Sequence, residues 1–124
     1  MDKKEIISKL DGLCDEIISV DLDMISTLME RCTYWDATEI DENISVTGNR
    51  ICQKAADFKE NDITNIIIVL QTALTRNLRY QETVSILWSL SKSFPGAHID
   101  WSHAQSDDIE YDKCRCYILL FSAR

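Results

Sequence analysis

Nucleophiles and bases gather toward the C-terminal part of this chain, where His98, Asp100, His103, Cys114 and Cys116 fall in one stretch. On a strand, His98 and Asp100 share a face because side chains alternate, and an adjacent strand could add a cysteine. Metal ligation and nucleophilic catalysis are the two chemistries such a cluster would offer. The spacing favours neither. Cys-x-Cys is not the Cys-x-x-Cys knuckle of a structural zinc site, and no second knuckle follows. A thiolate nucleophile needs an orienting base and an anion site, and the chain has only two histidines. The simpler expectation is two edge histidines and two thiols packed against different neighbours. His98, Asp100, His103 and Cys114 are therefore the site of an alternative reading, a small enzyme or metal-binding domain. Gly-rich phosphate loops, Gly-x-Ser-x-Gly and His-Glu-x-x-His are all absent. No catalytic residue, cofactor or metal is assigned.

Carboxylates make the stronger pattern. Residues 1–62 hold 15 Asp and Glu against 7 Lys and Arg, a net of −8, whereas residues 63–124 hold 6 of each. Part of the excess is the run Asp36, Glu39, Asp41 and Glu42, directly after Tyr34 and Trp35. Tyr and Trp are common interface anchors, and flanking carboxylates would pair with Arg or Lys of a partner. The bland alternative is a helix end whose aromatics fold back on the core before a solvated loop. A second segment repeats the theme, with Asp107, Asp108, Glu110 and Asp112 around Ile109 and Tyr111. It lacks the alternate ligands, central Gly and terminal Glu of an EF-hand. A field of this sign repels nucleic acid and anionic membranes and attracts basic protein surfaces.

These residues must be carried by one domain of 124 residues, a size that supports a single core. One Pro and three Gly supply little turn material, which favours helices. Ile6, Ile7, Leu10, Leu13, Cys14, Ile17 and Ile18 follow helical spacing over residues 2–19. Asp21 or Asp23 can cap a second helix through Met24, Ile25, Leu28, Met29 and Cys32. Residues 36–45 are acidic and aperiodic, which predicts a loop. A third helix is expected over 45–60. Asn61-Asp62 would cap a fourth through Ile63, Ile66, Ile67, Leu70 and Leu74, apolar all round and so central. A strand is the rival for its β-branched run. A fifth begins at Tyr80, with Val84, Leu87, Trp88 and Ser91 on one face and Ile86 and Leu90 beside it, and stops at Pro95-Gly96. Alternation over 97–101 and 113–121 predicts two antiparallel strands joined by residues 102–112. The expected fold is α+β and mostly helical: four to five helices around a central apolar helix, closed by a C-terminal β-hairpin.

The start, Met1-Asp-Lys-Lys-Glu, runs into an amphipathic stretch, so no secretory signal is expected. No run of 18 apolar residues occurs, so no membrane span is expected. Five cysteines, an odd number mostly at apolar positions, suit buried thiols of a reducing, cytoplasmic compartment. The profile is similar in type to bacterial immunity proteins, antitoxins and phage-encoded inhibitors, with no shared motif. The functional expectation is a small acidic inhibitor that occludes a basic toxin or nuclease. Its contacts would be Tyr34, Trp35, Asp36, Glu39, Asp41 and Glu42, with Asp107, Asp108, Glu110 and Tyr111. A helical adaptor or homodimerisation module is the third reading.

Overall fold

The run from Ile66 to Leu70 is a strand, and that one difference reorganises the architecture expected from the sequence. The computed structural model describes residues 1–13, 21–58 and 62–122. In chain order these form α1 (Lys3–Asp11), α2 (Leu22–Arg31), β1 (Tyr34–Asn43), α3 (Ile44–Asp57), β2 (Ile63–Ala73), α4 (Tyr80–Ser93), β3 (His98–Ser106) and β4 (Lys113–Ser122). Among the described residues, then, four helices pack on a four-stranded sheet. The mostly helical bundle is replaced by an α+β fold in which the sheet is the centre.

The strand order is β1-β4-β2-β3. β4 runs antiparallel to both β1 and β2, and β3 lies parallel to β2. β3 and β4 are consecutive yet do not pair, so no C-terminal hairpin closes the fold. Instead α4 forms the crossover that sets β3 beside β2. β4 then returns to the slot between β1 and β2.

Period two along the central strands divides the core in two. Ile66, Ile68, Leu70, Cys116, Ile118 and Leu120 meet Ile51 and Ala55 of α3 and Ile86 and Leu90 of α4. Ile67, Val69, Tyr117, Leu119 and Phe121 meet Ile6 and Leu10 of α1 and Ile25 and Met29 of α2. A strand covered on both faces loses its alternation and reads as a continuous apolar run. Each such side chain contributes about 1.5–3 kcal/mol on burial, so the sheet holds most of the hydrophobic stabilisation.

Helix starts follow their capping residues. Asp2 accepts from the Glu5 N–H at 2.8 Å, and Asp21 accepts from the Asp23 N–H at 2.8 Å. Asn43 accepts from the Ser45 N–H at 3.0 Å, which turns the chain from β1 straight into α3. α1 ends at Asp11, where the Gly12 N–H donates to the Ser8 carbonyl at 3.1 Å, short of the helix expected over 2–19; Cys14, Ile17, Ile18 and the Asn61 cap lie outside the described residues. α4 begins at Tyr80 and ends before Pro95 as expected, with Leu87 packed against the core. Ile86 and Leu90 are buried, whereas Val84 and Trp88 are exposed. Leu74, expected in the core, is 59 % exposed.

Candidate functional site

The acidic segment 36–42 is not a loop. It forms most of β1, an edge of the sheet that pairs, among the described strands, with β4 only. Its two faces carry different surroundings. Trp35 packs half-buried against the core beneath α1 and α2, next to buried Ala37. On the opposite face Ile40 joins the core beneath α3 and α4. Tyr34, Asp36, Glu39 and Asp41 remain exposed.

Several of these carboxylates are met by cations of neighbouring elements. Glu39 Oε1 accepts from Lys9 Nζ of α1 at 2.8 Å, and this bond raises the Lys9 ammonium above its ordinary value. Glu42 Oε1 accepts from Arg50 Nε of α3 at 3.0 Å. Asp41 stands opposite Arg115 of β4 in the sheet register. Asp36 Oδ2 accepts from the Thr38 hydroxyl at 3.3 Å. Glu39, Asp41 and Glu42 are thus each met by a cation of a neighbouring element.

At the Tyr34 end a groove of about 550 Å³ opens between β1 and the last turn of α3. Tyr34, Asp36 and Thr38 line one wall, and Lys54, Asp57 and Phe58 the other. Lys54, Asp57 and Phe58 did not stand out in the sequence as site residues. Their meeting with Tyr34 is tertiary, made by the β1–α3 crossover, and no local pattern announces it.

The second acidic segment, Asp107 to Asp112, sits at the other end of β1. The Ile44 N–H donates to the Asp112 carbonyl at 3.0 Å, so this loop adjoins Glu42 and Asn43. Tyr34 lies nine residues back along the strand, roughly 30 Å away at about 3.3 Å per residue. The structure therefore brings Asp112 to the Glu42 end and keeps both apart from the Tyr34–Trp35 pair. Within the loop, Asp108 bonds to the Ser106 hydroxyl and to Arg115 Nη2, the latter at 3.0 Å; these two bonds hold its carboxyl below the ordinary range. Asp107 and Glu110 are exposed. Tyr111 is 62 % exposed, with the Arg76 guanidinium 5.5 Å from its ring centroid.

The residues of the alternative enzyme or metal reading do not converge. His98 Nε2 and Asp100 Oδ2 lie 3.3 Å apart at the start of β3, sharing a face. His103 points to the opposite face, 2.6 Å from the Thr72 hydroxyl. Cys114 belongs to β4, with β2 between it and β3, at the sheet end away from His98. Burial pushes its thiol up to about 12, and pushes that of Cys116 well above the ordinary range. Such thiols are protonated near neutrality and weakly nucleophilic. Among the described residues no group of three or more His, Cys, Asp or Glu could hold a metal ion, and no helix is long and apolar enough to cross a membrane.

No family model matches the chain, and no curated protein matches it by sequence. Solved structures do match in shape. An empty FtsZ dimer from M. jannaschii superposes with a TM-score of 0.62 at 14 % identity, covering 88 % of this chain and 33 % of that one. A mutant FtsZ of the same organism gives 0.60 at 14 % identity, covering 98 % and 42 %. Thiamine monophosphate kinase from Aquifex aeolicus gives 0.50 at 13 % identity, covering 100 % and 45 %. The likeness is one of fold. In each case this chain spans less than half the length of the protein it resembles, and at such identity no residue role carries across.

Proposed function

We propose that the domain is a stoichiometric protein-binding inhibitor whose acidic surface occludes a basic partner of the toxin or nuclease class. The observation that carries this reading is the position of the acidic run: Asp36, Glu39, Asp41 and Glu42 lie along an open sheet edge, not within a floppy loop. The strand fixes the spacing of these carboxylates, with Asp36 and Glu42 on the α3 side of the sheet and Glu39 and Asp41 on the α1 side. They can stand where the phosphates of a nucleic-acid substrate would otherwise sit on a basic surface. Opposite charge also speeds association, by up to several hundredfold over a neutral encounter.

Tyr34 supplies the aromatic contact in this reading, since the residue is 45 % exposed and lines the groove. Trp35 takes a supporting role, because it packs against the core beneath α1 and α2. The loop Asp107–Asp112 contributes at the far end, beside Glu42.

The test is affinity capture from the native host, run in parallel with a variant carrying Asp36→Asn, Glu39→Gln, Asp41→Asn and Glu42→Gln. The expected result is a basic protein retained by the parent, released by salt, absent with the variant, and inhibited at one-to-one stoichiometry. Recovery of only neutral or acidic proteins, or equal recovery by the variant, would overturn the reading.

A further inference from the structure

We propose that β1 receives an extended basic segment of the partner as a fifth strand of the sheet. The proposal rests on the basic-partner reading above and adds to it a binding mode. Three separate observations lead there.

The first is the backbone. The Ile44 N–H reaches the carbonyl of Asp112, the residue before β4, and in the Asn43–Lys113 register this turns the backbone groups of even-numbered residues toward the sheet. From the other side, the Met1 amino group donates to the Ala37 carbonyl at 2.9 Å, so odd-numbered residues face outward. The N–H and C=O groups of Trp35, Ala37, Glu39 and Asp41 are therefore the rungs offered to an incoming strand, with Met1 occupying one of them.

The second is the composition of the edge. Ten residues make a long edge strand when about five to six is usual, and a long open edge invites pairing with another chain. β1 carries four carboxylates and no Lys or Arg. Pairing two copies of β1 would align two acidic rows, with no cation on either strand to separate them. Like charges opposite one another are unfavourable. The edge thus disfavours a second copy of itself and favours a strand bearing Arg or Lys.

The third is the groove at the Tyr34 end. Asp36 and Asp57 place two carboxylates on its walls against the single ammonium of Lys54, a net negative charge beside the exposed Tyr34 ring. An arginine carried by the added strand finds there both charged acceptors and an aromatic face, the two contacts a guanidinium uses best.

The probe is a decapeptide alternating Arg and Val, compared with the same peptide N-methylated along its backbone and with an alternating Glu and Val peptide. Binding is read by calorimetry and by amide hydrogen exchange of the domain. The Arg/Val peptide should slow exchange at Trp35, Ala37, Glu39 and Asp41 at least tenfold when saturating. N-methylation should weaken binding at least tenfold, the Glu/Val peptide should not bind, and Asp36→Asn should weaken the Arg/Val complex severalfold. Equal binding of the N-methylated peptide, or protection confined to β3 or α4, overturns strand addition while leaving a basic partner in place. Absence of Arg/Val binding from a domain that captures a basic host protein overturns it too. Edge protection by the peptide, in a domain that captures no basic host protein, supports strand addition and removes the inhibitor reading instead.

Discussion

Arg76 and Glu82 form a two-point ion pair, with Nη1–Oε1 at 3.1 Å and Nη2–Oε2 at 2.6 Å. Their side chains are 13 % and 22 % exposed. The pair closes the turn between β2 and α4, and the same guanidinium lies over Tyr111 of the β3–β4 loop. Glu82 also accepts from the Arg79 N–H at 2.9 Å, at the first turn of α4. Gln105 completes the arrangement from β3: its Nε2 stands 3.1–3.3 Å from the Ala73, Leu74 and Arg76 carbonyls and Asn77 Oδ1. Two loops that sequence alone leaves independent are thereby fixed to each other.

Arg76→Ala should lower the unfolding free energy by about 1–3 kcal/mol, because it leaves a half-buried carboxylate without its charged partner. Arg76→Lys should recover only part of this, since an ammonium cannot make the parallel two-point contact. Urea denaturation of the three proteins measures both.

The Arg76 bonds hold the Glu82 carboxyl below its ordinary range, and the Ser106 and Arg115 bonds do the same for Asp108. A carboxylate depressed in the folded state stabilises fully above its unfolded value and loses that contribution as pH falls through the folded one. The contribution of these two carboxylates should therefore be level between about pH 7 and 5 and decline below about 4.3, where free glutamate protonates. In Arg76→Ala the acid decline should be shallower. A decline of unchanged depth would remove Glu82 from the account.

Leu70 and Leu74 separate the strand from the helix that their spacing suggests. Leu70 is fully buried and Leu74 is 59 % exposed. Leu70→Ala should cost about 2–5 kcal/mol, whereas Leu74→Ala should stay within about 0.5 kcal/mol. Comparable losses at both positions would restore a helix there.

Which parts of this fold were legible follows from what each element buries. α2 and α4 each bury one face, so helical spacing and their stop signals mark where they lie. β2 is covered on both faces, and its run of Ile and Val satisfies a helical or a strand pattern equally. β1 hides for a different reason. Trp35 and Ala37 pack toward one layer and Ile40 toward the other, so no simple alternation survives, and the acids are residues that strands usually avoid. β3 and β4 alternate visibly, but their pairing does not follow from adjacency. Consecutive strands are neighbours in most sheets; here β2 and the vacant slot beside β1 claim them separately. The same placement explains the candidate site. Its carboxylates were visible as a cluster, while the edge that spaces them depends on β4 arriving from 70 positions away in the register of Asn43 with Lys113.

The thiols should report the layering directly. Burial raises Cys32 and Cys52 as well, but both keep partial exposure, unlike Cys114 and Cys116. Iodoacetamide at pH 8 should modify Cys32 and Cys52 in the native state and leave Cys114 and Cys116 untouched until denaturant is added, as read by mass spectrometry. Early labelling of Cys114 would show that β4 is less enclosed than described.

Tyr34 and Trp35 are adjacent but answer to different parts of the molecule, and that difference tests the site. Trp35→Ala removes a ring packed against Ala37 and the α1–α2 layer, so it should lower stability by about 1–3 kcal/mol. Tyr34→Ala removes an exposed ring at the groove and should change stability by less than about 0.5 kcal/mol. In binding the order should reverse. Tyr34→Ala should mainly raise the off-rate from a basic partner, as loss of an aromatic anchor does. Neutralising Asp36 and Asp41 should mainly slow association and flatten its dependence on salt, because rim charges act on the encounter. Surface plasmon resonance across a salt series separates these effects. If Tyr34→Ala and the Asp36/Asp41 variant both bind as the parent does, β1 is not the recognition edge and the loop Asp107–Asp112 becomes the place to look.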